Sequence, residues 1–148
     1  MVKRNPSPKS FFTKEEKERI VLAIREAESR TSGEIRVYLE RKAKGELLER
    51  ARKVFDKIGM TRTRLRNGVL IYLSLKDRQF AVLGDRGIHE KVGPGFWDEA
   101  AILMAQSFSR GEFTAGLLNG IHRVGDKLQT FFPHKPGDVN ELPDKVEE

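Results

Sequence analysis

The chain has 148 residues, 38% of them hydrophobic and 34% charged, with a formal net charge of +6. That length suffices for one domain with a continuous core, and the composition is that of a soluble globular protein rather than a disordered one. There is no cysteine, which excludes disulfides, thiolate metal centres and a cysteine nucleophile and fits a reducing compartment.

The N-terminus, Met1-Val2-Lys3-Arg4-Asn5-Pro6-Ser7-Pro8, is basic but is not followed by the apolar run of a secretory signal. No apolar run approaches the roughly 18 residues needed to span a bilayer. A cytoplasmic monomer is therefore expected, with residues 1–12 as a flexible arm. Thr13 and Glu16 then match a capping box, in which each side chain reaches the other's unpaired backbone N–H. Ile20, Val21, Ile24 and Ala27 follow on one helical face. Thr31-Ser32-Gly33 stops that helix.

Glu34-Ile35-Arg36-Val37-Tyr38-Leu39-Glu40 alternates polar and apolar residues, the pattern of a half-buried strand. Leu47, Leu48, Ala51, Val54, Phe55 and Ile58 mark a second amphipathic helix ended by Gly59. Past a polar loop, residues 61–67, the run from Gly68 to Leu75 is nearly all apolar, as in a central strand covered on both faces. Lys76-Asp77-Arg78 is short enough for a hairpin turn, and Gln79 to Leu83 returns as the partner strand.

Gly84 to Lys91 reads as a loop, continuing to a break at Gly93-Pro94-Gly95. Trp97, Ala100, Ala101, Met104, Ala105 and Phe108 then form a helical stripe. Phe113, Leu117, Ile121, Val124, Leu128 and Phe131 form another, ended before Pro133. Gly116, Gly120 and Gly125 lie inside this last helix, each costing about 1 kcal/mol relative to alanine; close packing against a neighbour is the expected compensation. Residues 134–148 lack periodicity and are expected to be a mobile acidic tail. The last eleven residues carry five acids against Lys145.

The first strand, crossover helix and second strand should give a parallel pair, with the third strand antiparallel through the hairpin. The end of the third strand then lies where the first two begin, bringing Asp85 near Ser32, Gly33, Glu34 and Asn67. A basic stretch, residues 41–66, carries ten Lys or Arg residues against three acids. It reads first as a solvated helix surface and second as a face that could draw an anionic partner; few aromatics interleave with it, so nucleic acid is not expected as a ligand.

Among chemical signatures, no phosphate-binding loop, dinucleotide fingerprint, zinc-protease motif or nucleophile elbow is present. His89, His122 and His134 have no metal spacing. The carboxylates are more informative. Asp85, Glu90, Asp98 and Glu34 could converge at one end of the sheet, where oxygen ligands suit a hard divalent cation. The same acids have ordinary uses. Asp85 can cap a turn, Asp98 and Glu99 suit a helix N-terminus, and Glu90 can pair with a base. Trp97 begins an apolar stripe and reads first as core and second as the wall of a site, and Arg78 and Arg86 read first as solvated residues and second as anion ligands.

The succession Thr31-Ser32-Gly33-Glu34-Ile35-Arg36-Val37, Asn67-Gly68-Val69-Leu70-Ile71-Tyr72, Gly84-Asp85-Arg86-Gly87-Ile88, Phe96-Trp97, Phe108 to Gly111 and Phe131-Phe132-Pro133 resembles the TPM domain family over residues 13–133. That family includes thylakoid-lumen, photosystem-associated and receptor-auxiliary proteins and many bacterial ones. The tail Asp138-Val139-Asn140-Glu141-Leu142-Pro143 is similar to that of its compact bacterial members. The resemblance implies an α/β fold, a three-layer α/β/α sandwich with a small mixed central sheet. It also implies a divalent-cation site, for calcium or magnesium, with Asp85 as the ligand that motif position supports. Two functions follow as expectations. One is a cation-binding accessory module with a protein partner. The other is a metal-assisted phosphatase acting on phosphomonoesters, with His89 or Glu90 as base and Arg86 as charge stabiliser.

Overall fold

The capping box at Thr13 forms as its spacing predicts. In the computed structural model, which describes residues 4–93, 95–134 and 146–147, the Glu16 N–H donates to Thr13 Oγ1 at 3.1 Å and the Thr13 N–H to Glu16 Oε1 at 2.9 Å. They open helix α1, Lys14–Glu28. Strand β1 is Glu34–Glu40, helix α2 Leu47–Lys57, strand β2 Gly68–Ser74 and strand β3 Gln79–Gly84. Helices α3, Arg86–Val92, α4, Asp98–Ser109, and α5, Phe113–Phe131, follow, and a short strand β4, Val146–Glu147, ends the order.

The sheet order is β3-β2-β1-β4. β1 and β2 run parallel with Glu34 opposite Gly68, while β2 and β3 are antiparallel with Val69 opposite Gly84. Strand parity sorts the core into two layers. Ile35, Val37, Leu39, Val69, Ile71 and Leu73 face α1, α4 and α5. Tyr38, Leu70, Tyr72 and Ala81 face Ala51, Val54 and Phe55 of α2. The result is the expected sandwich, with helices on both faces of a mixed sheet.

Helix α5 crosses the larger layer at close range. A Cβ at Gly116 would lie 2.7 Å from Ser107 Cβ, one at Gly120 2.4 Å from Met104 Sδ, and one at Gly125 2.7 Å from Ala27 Cβ. The three glycines thus let α5 touch α4 and α1 where no side chain fits.

Four expectations change. β1 is buried on both faces rather than half-buried, with Glu34 at 3% and Arg36 at 4% exposure; alternation alone cannot show that the polar side, where Tyr38 packs with Ala51 and Val54 of α2, is covered as well. The segment after β3 is a helix, α3, not a loop. Part of the N-terminal arm is anchored: Phe11 and Phe12 lie in the core, and the Arg4 guanidinium forks onto Glu16 at 2.7 and 2.9 Å. In the tail, Val146 and Glu147 pair with Val37 and Tyr38 of β1; residues 135–145 and 148 of that tail lie outside the described residues. An exposed backbone edge beside β1 favours strand addition, which side-chain periodicity does not record.

Candidate functional site

Strand β3 delivers Asp85 to the edge where β1 and β2 begin, as chain direction predicts. The Asp85 N–H donates to the Gly68 carbonyl at 2.9 Å, so the residue is still tied to the sheet. Its carboxylate caps α3, accepting the Arg86 N–H at 2.8 Å. The same carboxylate takes a fork from Arg66, Nε to Oδ2 at 2.6 Å and Nη2 to Oδ1 at 2.9 Å. Charge-assisted, two-pronged bonds of this kind are strong and directional. Asp85 is only 6% exposed, so its charge needs that partner.

Arg66 reaches this position through the loop before β2. Its φ is +52°, a conformation uncommon outside glycine, asparagine and aspartate. Gly87 explains how the loop and α3 meet. The Gly87 N–H donates to the Arg66 carbonyl at 2.9 Å, and a Cβ there would fall 2.2 Å from the Leu65 carbonyl oxygen and 2.6 Å from that of Arg66. Only glycine permits this backbone contact. Asn67, buried beside it, donates from Nδ2 to Ser32 Oγ at 3.3 Å, joining the starts of β1 and β2.

A cleft of about 320 Å³ opens against this bridge. Arg52 and Asp56 come from α2, Thr61 from the turn Met60–Arg62, and Arg66, Asp85 and His89 complete its polar lining. The Arg66 guanidinium is held still more firmly in its charged form, above all by the hydrogen bonds to Asp85, with further help from the charges of Asp85, Asp56 and Glu90.

The four acids expected to converge are dispersed. Asp85 faces Arg66, and Glu90 lies exposed on α3. Asp98 opens α4 and lines a second cleft of about 320 Å³ with Phe80, Phe96, Trp97 and His89. Glu34 is buried in β1 and lines neither cleft. Among the described residues, no three His, Cys, Asp or Glu side chains stand close enough to hold a metal ion together. The physical reason is α3: as a helix it puts Asp85 at its start and Glu90 on its solvent side, where a loop could have folded both inward. His89 borders both clefts, and Arg86 is exposed. Arg66 and Asp56 are the residues that sequence reasoning missed. Both sit in the basic stretch, but nothing in their spacing marks them as neighbours of Asp85.

Trp97 resolves mainly as core, at 9% exposure, with Nε1 packed at 3.1 Å from where a Gly84 Cβ would lie. Its indole N–H has no acceptor among the described residues.

The chain can now be compared with known proteins. The family model described as the TPM domain matches residues 7–127. Among solved structures, the chain is similar to the BA42 protein from the psychrophilic bacterium Bizionia argentinensis, determined by NMR. The two share 43% identity with a TM-score of 0.88, over 93% of this chain and 94% of that one. No curated protein matches. Among the described residues, no helix is long and apolar enough to cross a membrane.

Proposed function

We propose, for a chain that belongs to the TPM domain family, that it is a binding module whose working site is the cleft at Asp85. Its ligand there is a divalent cation, calcium or magnesium, which exchanges with the Arg66 guanidinium. The observation that carries this reading is the Asp85 carboxylate, forked by Arg66 at the wall of a cleft that Asp56 also lines, with Arg66 itself in the left-handed region. Oxygen-rich surroundings of this charge suit a hard cation. Asp85 would hold it, with Asp56 and Glu90 supplying charge. The bound ion would then order α3 and the loop before β2 for a protein partner. Such a module fits a cytoplasmic monomer, and the lack of cysteine agrees with that compartment.

Among the described residues, Thr61 is the hydroxyl that lines the cleft and no base is hydrogen-bonded to it, so a nucleophilic route has little support. The test is a titration of the chain with Ca²⁺ and Mg²⁺, followed by amide NMR shifts. Shifts at residues 63–68 and 84–91 are expected, lost in Asp85→Asn. Arg66→Gln removes the competing cation and should tighten binding by about tenfold, the effect of one charge in a partly solvated site. If Arg66→Gln weakens binding, the exchange reading fails. Turnover of a generic phosphomonoester by the loaded chain, abolished in Asp85→Asn, would instead establish the phosphatase.

A further inference from the structure

The second cleft, of about 320 Å³, holds no part of the Asp85–Arg66 fork and has the size of a small-ligand pocket. Phe80 of β3, Ile88 of α3, and Phe96 and Trp97 ahead of α4 give it apolar walls, with Asp98 and His89 as its ionisable groups. The Phe96 and Trp97 rings have centroids 4.5 Å apart and meet at 72°, so they form a corner rather than a flat wall. Asp98 stands at the turn beside that corner. Its N–H donates to the Gly95 carbonyl at 3.2 Å, and its Oδ2 lies 3.2 Å from where a Gly95 Cβ would stand. The Asp98 carboxylate is exposed and has no hydrogen bond or ion pair among the described residues.

We propose that this cleft binds a quaternary ammonium group, the head of choline or of a trimethylated lysine side chain. Aromatic faces carry negative potential and attract a cation within about 6 Å of the ring centre. Phe96 already shows the attraction: the ammonium of Lys127, which does not line the cleft, is 5.4 Å from its ring centre. One carboxylate offers too few oxygens for a hard metal ion. Apolar walls would leave the N–H groups of an unmethylated ammonium short of acceptors. A quaternary head has no N–H, keeps its charge at every pH, and buries methyl groups against the rings. Neither Asp85 nor Arg66 takes part, so the two clefts can be tested apart.

Trp97 is the chain's only tryptophan, so its fluorescence reports this cleft directly. The probes are choline chloride and a blocked trimethyl-lysine, titrated into the full-length chain against sodium chloride at equal ionic strength. A saturable fluorescence change at millimolar ligand is expected, with amide NMR shifts at Phe80, Gly95, Phe96 and Asp98. The neutral isostere of choline, in which a tert-butyl group replaces the trimethylammonium, should bind at least about tenfold more weakly. Asp98→Asn should weaken choline binding about fivefold, and Phe96→Leu about tenfold. A response to choline alone assigns the cleft to a free or lipid-borne headgroup, and one to trimethyl-lysine alone to a modified protein side chain; either upholds the site. Equal binding of the tert-butyl isostere overturns the proposal, because the cleft then selects shape and not charge. So does an unchanged affinity in a folded Asp98→Asn chain, or the absence of a saturable change with both ammonium ligands. If Phe96→Leu does not fold, the isostere and Asp98→Asn decide.

Discussion

Two arginine–carboxylate forks stand at opposite ends of the same sheet. At one end Arg50 grips Glu40, Nε to Oε1 at 2.9 Å and Nη2 to Oε2 at 2.8 Å. At the other Arg66 grips Asp85 with nearly the same lengths. The surroundings differ. Glu40 and Arg50 sit on a strand and a helix, both side chains 16% exposed, and the buried Tyr72 hydroxyl adds a third donor to Glu40 at 2.5 Å. Arg66 comes from a loop with a left-handed backbone, is 29% exposed, and opens onto a cleft. One fork is closed over by regular structure and serves the fold. The other stands at a cleft wall, where the proposed cation would compete with Arg66 for Asp85. Identical donor geometry thus says little about role; what the partners are mounted on decides it.

The comparison predicts unequal costs. Glu40→Ala leaves the Arg50 charge and the Tyr72 hydroxyl buried without an acceptor and should lose about 3 kcal/mol in urea denaturation. Asp85→Asn should lose clearly less while abolishing the cation response. Equal losses would break the distinction between the two ends. Next in size, Gly87→Ala forces a methyl into the Leu65 and Arg66 carbonyls. A loss of about 2 kcal/mol is expected, with NMR shifts concentrated at residues 63–68 and 85–89; a neutral result would mean that the loop before β2 yields freely.

Tyr72→Phe removes one donor from Glu40 and should lose about 1 kcal/mol, with the fork itself intact. Burial and the bond to Glu40 push the Tyr72 phenol well above its ordinary pKa. Removing that bond should in turn bring the Glu40 carboxyl back towards the ordinary glutamate range, from which Arg50 first and Tyr72 second depress it.

The smallest effect concerns a third fork, on the closed side. Arg4, and then Thr114 and the Thr13 N–H, hold the Glu16 carboxyl down to about 2 against opposing burial. Its folded pKa is below the unfolded one, so its contribution is complete above the unfolded value, near 4.3, and is lost as pH falls towards 2. Carboxyl NMR titration should show that midpoint, and Arg4→Ala should raise it. An unchanged midpoint would mean that Arg4 does not hold the arm.

Much of this was legible in the residues. Thr13 and Glu16 located a helix start to the residue because a capping box is a local event. The apolar run from Gly68 to Leu75 announced a strand covered on both sides, and chain direction alone brought Asp85 to the starts of β1 and β2. What was not legible depends on contacts between distant segments. Gly87 reads as a loop breaker, yet it is the point where a short helix rests on the backbone of Leu65 and Arg66. Val146 has no periodicity to betray it, because a strand added to an edge is held by backbone groups that every residue carries.

By itself the sequence determined the order of α1, β1, α2, β2, β3, α4 and α5, the division of strand residues between two faces, the glycine-lined path of α5 and the family. Each of these follows from local propensity or from a short repeat of side-chain character. Only the tertiary structure decided which cation meets Asp85, how far Asp98 and Glu34 lie from it, and what covers β1. Those depend on where loops and chain ends return in space, and a carboxylate's role is set by the charge that arrives beside it.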